Sequence, residues 1–252
     1  MVSAASLMDA PSVLVTGGNG GLGRAICRLV VERGGEVAIG CRLEEQDECR
    51  DFAASLGSRA MVVVGDITDP SDVERMVQEV LERLPHLSGL VNNAGVLGPV
   101  SQITDVDVPD WRTVLDTNLT GTFLMSRALI GHLRTRTGAA IVNMSSQLAY
   151  IGAPDLVAYC TSKAGLLGFT RALAHDLAGQ VRVNAVAPGP IDTSLHQGVE
   201  DTTWLDKKLE RVVMHRFGTP AEVATVVWFL LTNESSYMTG QTIAPNGGGA
   251  FL

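Results

Sequence analysis

A glycine-rich turn between a predicted strand and a predicted helix is the strongest constraint on the fold of this chain. Residues 12–16 read Ser-Val-Leu-Val-Thr, and glycines follow at positions 17, 18, 20, 21 and 23. Apolar residues then recur at helical spacing from Leu22 through Ile26, Leu29 and Val30. A glycine cluster alone could be only a mobile loop. Between a strand and a helix, however, it lets the backbone approach a pyrophosphate that binds at the helix N-terminus, and this order predicts a dinucleotide site.

Strands and helices alternate along the whole chain. The sequence predicts strands at 12–16, 36–40, 61–65, 89–92, 139–144, 181–187 and 241–244, and helices at 23–33, 44–56, 70–84, 109–135, 158–177 and 220–230. Continuous apolar runs such as Met61-Val62-Val63-Val64 are typical of strands that are buried on both faces. We therefore expect an α/β fold, a Rossmann-type doubly wound parallel seven-stranded sheet flanked by helices, with ligands at the carboxyl ends of the strands.

Composition and charge restrict the function classes. The net charge of −8 argues against nonspecific binding to nucleic acid or to an anionic membrane surface. No apolar run reaches the length of a membrane span, and the N-terminal residues do not have the pattern of a signal peptide. The four cysteines and five histidines show no metal-ligand spacing, so we expect no metal, reduced thiols and a cytoplasmic location.

Tyr159 and Lys163 stand four residues apart in a predicted helix. Residues at this spacing share one helix face, so the Lys163 ammonium can lie beside the Tyr159 phenol. A nearby cation favours the phenolate, and we expect it to lower the pKa of Tyr159 toward neutrality. A tyrosine tuned in this way can exchange a proton with an alcohol oxygen. The spacing alone is common on surface helices, and its weight depends on the motifs around it.

Five ordered motifs make the chain resemble the classical short-chain dehydrogenase/reductase (SDR) family, in particular its ketoreductases, over nearly its full length. The motifs are Thr16-Gly17 with Gly21 and Gly23, Asn92-Asn93-Ala94-Gly95, Asn118 in Asp116-Thr117-Asn118-Leu119, Ser146 placed 13 residues before Tyr159, and Pro188-Gly189 with Ile191 and Thr193.

The resemblance implies an NADP(H)-dependent oxidoreductase that interconverts a ketone and a secondary alcohol. Its implied catalytic residues are Asn118, Ser146, Tyr159 and Lys163, with Tyr159 as the general acid or base. Ser145 remains the rival of Ser146 for the hydrogen bond to the substrate oxygen. Two alternatives remain, a noncatalytic dinucleotide-binding sensor of the same fold and an enoyl reductase or epimerase of related fold.

The resemblance also implies a set of cofactor-binding residues. These are Thr16, Gly17, Asn19, Gly20, Gly21, Leu22, Gly23, Arg42, Asp66, Ile67, Asn93, Ala94, Gly95, Tyr159, Lys163, Pro188, Gly189, Ile191 and Thr193. Cys41 occupies the position where members of the family that use NAD carry Asp, and the Arg42 guanidinium that follows can bind a phosphate. We therefore expect a preference for NADP(H), with NAD(H) as the alternative, because Gly20 stands where many NADP-using relatives carry a basic residue. Arg42 could instead stack on adenine or lie in solvent, and Asp66 could be only a turn residue.

Expectations for the substrate side rest on position and on the family. Gln147, Ala153 and Trp204 are candidates for contact with a small-molecule carbonyl or alcohol substrate. Residues 1–10 are expected to form a flexible tail before a single dinucleotide-binding oxidoreductase domain at 11–252. Within it, 192–216 is expected to be a lid over the substrate, although it could be an ordinary surface helix pair. The family also implies a homotetramer.

Overall fold

A parallel sheet of seven strands forms the centre of the molecule. The computed structural model describes residues 10–192 and 209–251. The strands are β1 (Ser12–Thr16), β2 (Glu36–Cys41), β3 (Ala60–Val64), β4 (Leu87–Asn92), β5 (Ala140–Met144), β6 (Arg182–Val186) and β7 (Thr242–Ile243), in the order β3-β2-β1-β4-β5-β6-β7. The order reverses between β1 and β4, and the crevice at such a switch point is where ligands bind in doubly wound folds. This confirms the predicted fold class.

Helices cover both faces of the sheet. They are α1 (Gly21–Glu32), α2 (Gln46–Leu56), α3 (Pro70–Arg83), α4 (Val108–Leu115), α5 (Gly121–Leu133), α6 (Leu148–Ile151), α7 (Val157–Asp176) and α8 (Pro220–Leu231). One core cluster packs α1, α2 and α8 against the sheet through residues such as Ile26, Phe52 and Val227. The other packs α3, α5 and α7 against the opposite face through Met76, Leu129 and Leu173. Both cores are mainly aliphatic, as the low aromatic content of the chain leads one to expect.

The segment predicted as one helix over 109–135 is interrupted. Regular α-helix ends at Leu115, a π-helical turn covers Asp116–Thr120, and α5 begins at Gly121. The extra residue of a π turn accommodates Asn118, whose side chain hydrogen-bonds to the main chain at Val96 instead of following the outer face of the helix. Hydrophobic periodicity does not reveal such a turn, because the pattern resumes after one added residue.

None of the helices in the described part of the chain has the length and apolarity needed to cross a bilayer.

Candidate active site

The glycine loop forms a tight turn between β1 and α1. Gly17 has a left-handed backbone, with φ +58°, and a Cβ atom at this position would lie 2.9 Å from the Ala94 Cα atom. The Gly20 N–H donates to the Gly17 carbonyl at 3.2 Å. Gly20 is the N-cap residue of α1 and, as a glycine, supplies no side-chain hydrogen bond to the first turn of that helix. The main-chain N–H groups at this helix N-terminus therefore remain available to a phosphate.

The loop after β4 is bound to the loop after β1. The Asn93 side-chain amide donates to the carbonyls of Thr16 at 3.0 Å and Gly17 at 2.8 Å. The Thr16 hydroxyl accepts from the N–H groups of Asn93 and Ala94, each at 3.1 Å. Because these bonds use its side-chain nitrogen inside the protein, Asn93 offers its main chain and its side-chain oxygen to a ligand. Gly95 follows, and a Cβ atom there would lie 3.2 Å from the Lys163 Nζ atom.

Asn118 joins three segments around the proposed reaction centre. It is fully buried, and its side chain accepts from the Val96 N–H at 2.8 Å and donates to the Val96 carbonyl at 2.9 Å. The same amide group donates to the Ser162 hydroxyl at 2.9 Å. Ser162 in turn donates to the Tyr159 carbonyl at 2.8 Å. These hydrogen bonds therefore fix the relative positions of the π turn, the loop after β4 and α7.

Two neighbouring serines at the end of β5 have different roles. The Ser145 hydroxyl donates to the main-chain carbonyl of Lys163 at 2.8 Å, so it holds α7 against the sheet. The Ser146 hydroxyl accepts from the Leu148 N–H at 3.1 Å and lies next to the Tyr159 phenol, where it acts to lower the pKa of that group. Geometry therefore favours Ser146 over Ser145 as the residue that faces a substrate oxygen.

Lys163 lies beside Tyr159, as the helical spacing predicts. Its Nζ atom is 5.7 Å from the centroid of the Tyr159 ring and donates to the Met144 carbonyl at 2.8 Å. Burial lowers the pKa of Lys163 to about 8, because the charged ammonium loses its hydration. The expectation that Lys163 lowers the pKa of Tyr159 is wrong for the protein alone: burial raises the pKa of this tyrosine, and the Ser146 hydrogen bond opposes the rise.

The ends of β2 and β3, where the adenosine of a dinucleotide is expected, are exposed and polar. Cys41 ends β2, and the Arg42 side chain that follows is 57% exposed and lies 3.1 Å from a Glu44 carboxylate oxygen and 3.4 Å from one of Glu45. Asp66 follows β3, and its carboxylate accepts from the Thr68 N–H and hydroxyl, both at 2.8 Å. These hydrogen bonds are the ones expected if Asp66 is only a turn residue. Asp66 is nevertheless exposed, and it lies at the carboxyl edge of the sheet. Ile67, also predicted as a cofactor residue, is buried against the main chain of Gly121.

The segment after β6 lies at the same edge of the sheet. The Pro188 carbonyl accepts from the Gln147 N–H at 2.9 Å, and a Cβ atom at Gly189 would lie 2.7 Å from the Asn246 Cα atom. Ile191 is buried and forms a bridge with Gly218. Thr193, Trp204 and most of the predicted lid lie outside the described residues.

Two of the three substrate candidates are described. Gln147 follows Ser146, is 9% exposed, and has a buried Oε1 atom without a hydrogen-bond partner among the described residues. A Cβ atom at Gly249 would lie 2.8 Å from this oxygen, so the C-terminal glycine turn forms the adjacent wall. Ala153 is half-buried, and its main chain acts to lower the pKa of the Cys160 thiol, which burial raises.

Sequence reasoning missed Ser162, which lies directly before Lys163 and links Asn118 to the turn of Tyr159. Its position three residues after Tyr159 is the signal that could have found it, because residues at that spacing adjoin on a helix. Among the described residues, no cluster of His, Cys, Asp or Glu has the arrangement of a metal site. The assembled groups can bind a dinucleotide along the glycine loop and transfer a proton at Tyr159.

Comparison with known proteins decides the family. The family model described as Enoyl-(Acyl carrier protein) reductase matches residues 17–249. A 3-oxoacyl-(acyl-carrier-protein) reductase from Thermotoga maritima is 35% identical over 93% of this chain and 96% of its own length.

The chain belongs to the short-chain dehydrogenase/reductase family.

Further relatives agree with this membership. A 2-(S)-hydroxypropyl-CoM dehydrogenase from Xanthobacter autotrophicus is 34% identical over 94% of this chain and 95% of its own length. The crystal structure of a short-chain dehydrogenase/reductase titled glucose/ribitol dehydrogenase, from Brucella melitensis, superposes with a TM-score of 0.88 at 31% identity, covering 97% of this chain and 98% of that one.

This SDR protein is thus an oxidoreductase that acts on CH–OH groups with a nicotinamide dinucleotide. The finding favours an enzyme over the noncatalytic sensor. The family model carries the name of an enoyl reductase, whereas the names of the relatives above refer to reduction of a 3-oxo group and to dehydrogenation.

Proposed function

We propose that this SDR enzyme is an NADP(H)-dependent reductase that interconverts a ketone and a secondary alcohol, with Tyr159 as the general acid or base. The observation that carries the proposal is the arrangement at the end of β5, where the Ser146 hydroxyl lies next to the Tyr159 phenol and the Lys163 ammonium lies beside the tyrosine ring. This arrangement offers two hydroxyl groups to one substrate oxygen. It places a cation where negative charge would develop on the phenol.

The bound cofactor supplies or accepts the hydride. In the direction of reduction, Ser146 donates a hydrogen bond to the carbonyl oxygen, and Tyr159 transfers its phenolic proton to the same oxygen as charge develops there. The Lys163 ammonium stabilises the resulting phenolate. Asn118, as the family resemblance implies, helps to hold a water that returns a proton to Tyr159 through Lys163. Oxidation of the alcohol runs through the same groups in reverse, with the phenolate as the base.

The proposed preference for NADP(H) rests on the end of β2. Cys41 presents no carboxylate to repel a 2′-phosphate, and the exposed Arg42 can exchange its contacts with Glu44 and Glu45 for a phosphate. Both contacts are surface ion pairs that contribute little free energy, so Arg42 loses little stabilisation when it exchanges them for a phosphate. The glycine loop and the free N–H groups of α1 fit the pyrophosphate that NADP and NAD share.

The proposed substrate is a small-molecule ketone or alcohol that contacts Gln147 and Ala153, under a lid formed by 192–216 with Trp204. The unpartnered Oε1 atom of Gln147 favours this residue as a polar contact, because a buried acceptor gains from a donor that a ligand brings. The names of the relatives suggest a 3-oxoacyl group as the first substrate to test.

The proposed assembly is a homotetramer in the cytoplasm. Large apolar side chains stand exposed on α5 and near the C-terminus, with Phe123 44%, Tyr237 102% and Phe251 89% exposed. Such side chains gain free energy when a second copy covers them. Light scattering coupled to gel filtration measures the number of subunits, and a monomer would contradict this part of the proposal.

Absorbance at 340 nm tests the function directly. The purified enzyme is mixed with NADPH or NADH and with 3-oxoacyl thioesters, β-ketoesters, simple ketones, quinones and keto-sugars, alongside an enoyl thioester as the control for the related reaction. We expect NADPH to be oxidised with at least one carbonyl class and not with the enoyl thioester. Turnover of the enoyl thioester alone, or of NADH in preference to NADPH, would contradict the proposal.

A further inference from the structure

A buried side-chain amide lies beside the proposed reaction centre with its oxygen unpaired. Gln147 directly follows Ser146 and is 9% exposed. Its Oε1 atom is buried and accepts no hydrogen bond from the part of the chain that the structure describes. An unpaired buried acceptor costs free energy, and folded proteins contain few of them. This oxygen is therefore an acceptor that a ligand of the proposed site can use.

The backbone and the amide of Gln147 are both held in place. Its N–H donates to the Pro188 carbonyl at 2.9 Å, and its carbonyl accepts from the Tyr150 N–H at 3.0 Å. At the other end of the side chain, a Cβ atom at Gly249 would lie 2.8 Å from Oε1 and 3.5 Å from Nε2. Any larger residue at position 249 would press on the amide. The side chain thus lies between the end of β5 and the C-terminal glycine turn.

The glycine turn also adjoins the segment that the family resemblance assigns to the nicotinamide. The Gly249 N–H donates to the Asn246 carbonyl at 3.0 Å. Asn246 packs against Gly189, where a Cβ atom would lie 2.7 Å from the Asn246 Cα atom. Gln147 is therefore close to two groups with proposed roles in the reaction, Ser146 along the chain and the Pro-Gly segment across the turn.

Other polar side chains near this turn bind main-chain groups of the protein. The Ser145 hydroxyl donates to a main-chain carbonyl of α7. The Asn246 side chain donates to the Ala250 carbonyl at 2.7 Å and accepts from the Gly248 N–H at 2.9 Å. These contacts hold the walls of the site together. The Gln147 oxygen, in contrast, has no such contact and is left for a ligand.

We propose that Gln147 selects a substrate with a hydroxyl group on the carbon next to the reacting carbonyl. The substrate is then an α-hydroxy ketone in reduction and a vicinal diol in oxidation, and the inference rests on the proposed function. Consecutive Cα atoms are about 3.8 Å apart, so the side chains of Ser146 and Gln147 can contact adjacent groups of one small molecule. Ser146 donates to the carbonyl oxygen, and the Gln147 Oε1 atom accepts from the neighbouring hydroxyl.

The unpaired atom determines which chemical group is recognised. An amide oxygen accepts from a hydroxyl donor, whereas an ether oxygen or a second carbonyl brings no hydrogen to it. The hydroxyl takes no part in the hydride transfer, so its hydrogen bond stabilises the bound ketone and the transition state about equally. Such an interaction lowers KM and leaves kcat nearly unchanged. The role of Gln147 thereby differs from that of Ser146, which acts on kcat.

Kinetics with three small ketones and NADPH test the inference. Hydroxyacetone carries the donor, methoxyacetone keeps the electron-withdrawing oxygen without a donor, and butanone has a methyl group in place of the hydroxyl. The wild-type enzyme should show a kcat/KM for hydroxyacetone that exceeds those for the other two about tenfold to a hundredfold, the range expected when a buried polar group is left unpaired. The difference should lie mainly in KM.

Two variants of Gln147 and one control separate recognition from packing. Gln147→Leu removes the acceptor at similar size, so the ratio of kcat/KM for hydroxyacetone to that for butanone should fall to near one. Gln147→Glu keeps an oxygen acceptor and should keep most of this ratio. Ser145→Ala changes a neighbouring hydroxyl that binds the main chain of α7, and it should keep the ratio in full. A merely structural role of Gln147 would lower turnover of all three ketones alike and leave the ratio unchanged.

Saturation-transfer NMR of the same ketones with the enzyme and NADP+ measures the preference without turnover. Equal affinity of the wild-type enzyme for hydroxyacetone and butanone overturns the inference even if Gln147→Leu fails to fold. Preference for methoxyacetone, for butane-2,3-dione or for a 3-oxoacyl thioester over hydroxyacetone also overturns it. Absence of turnover with every ketone and both cofactors overturns the proposed function instead, and the NMR comparison then still decides whether Gln147 selects the hydroxyl group.

Discussion

The proposed catalytic centre and the proposed adenosine end of the same crevice are built in opposite ways. At the catalytic centre, Asn118 and Lys163 are buried, and their polar atoms are bound to main-chain groups of neighbouring segments. At the proposed adenosine end, Arg42 is exposed and its guanidinium pairs with the carboxylates of Glu44 and Glu45. One region is fixed by packing and hydrogen bonds, and the other by exchangeable surface ion pairs.

This difference shows which properties of the enzyme can change easily. Buried polar groups that depend on each other tolerate little alteration, because a lost partner leaves an unpaired group in a medium of low dielectric constant. Surface charges contribute less and can be replaced singly. The account therefore predicts large effects on chemistry at one end and modest, cofactor-specific effects at the other.

The largest predicted effect is a loss of kcat that distinguishes Ser146 from its neighbour Ser145. Ser146→Ala should lower kcat by about 10²–10³-fold, since it removes a donor that stabilises the developing charge on the substrate oxygen. Ser145→Ala is the matched control, because its hydroxyl binds the main chain of α7 and not Tyr159. It should cost about 1 kcal/mol of stability in a denaturant titration and leave most of the turnover. Equal losses of kcat in the two variants would show that the catalytic centre is not organised as described.

Lys163 should impose a pH dependence. Below its pKa of about 8 the side chain is an ammonium and stabilises the phenolate that ketone reduction creates at Tyr159. As the pH rises through 8 this charge is lost, so kcat/KM for reduction should fall. Lys163→Met should lower kcat/KM about tenfold to a hundredfold at pH 7, the scale of one charge interaction at this separation, and remove the fall near pH 8. Lys163→Arg should also lack that fall but keep more activity. An unchanged pH profile in Lys163→Met would contradict the assignment.

Arg42 should determine cofactor preference without affecting the chemistry. Arg42→Ala should raise the Kd for NADPH about tenfold and leave that for NADH and the kcat at saturating cofactor nearly unchanged, because a charged hydrogen bond contributes roughly 1.5–3 kcal/mol before the surface exposure of this site weakens it. Arg112→Ala, an exposed arginine in α4, is the control for the loss of one charge. Equal weakening of NADPH and NADH would place Arg42 at a site that the two cofactors share.

The smallest predicted effect is a gain in NADPH affinity, whereas the other substitutions lower activity or affinity. Glu45 accepts from the Arg42 guanidinium at 3.4 Å, and in Glu45→Gln this arginine no longer has to leave that carboxylate to bind a phosphate. NADPH affinity should rise, by at most about fivefold, since an exposed ion pair contributes less than 1 kcal/mol. Isothermal titration calorimetry measures the change, and weaker binding of NADPH would mean that Glu45 orients Arg42 for the cofactor and does not compete with it.

The fold could be predicted from the sequence, because it depends on the order and periodicity of apolar residues and glycines along the chain. The alternation of apolar strands with amphipathic helices and the glycine turn after β1 predicted the parallel sheet, and each strand lies within two residues of its predicted bounds. The π turn at Asn118 could not be predicted, since it depends on a contact with Val96, 22 residues away along the chain.

The candidate site could be predicted in part. Motif spacing brought Ser146, Tyr159 and Lys163 to one end of the sheet, but the direction of the pKa shift of Tyr159 was wrong, because burial in the folded protein exceeds the effect expected from a neighbouring lysine. The sequence likewise could not show that Arg42 lies between two carboxylates. These features depend on three-dimensional contacts that spacing does not encode.

The most direct test of the central claim is a single comparison of Tyr159→Phe with the wild-type enzyme, in which NADPH binding and turnover are measured on the same preparations. The phenyl ring preserves the packing on α7 and removes only the hydroxyl group. The account predicts that kcat falls about 10²–10⁴-fold, the usual contribution of a general acid or base, while the Kd for NADPH changes less than threefold. Substantial residual turnover in Tyr159→Phe, with NADPH bound normally, would contradict the assignment of proton transfer to Tyr159.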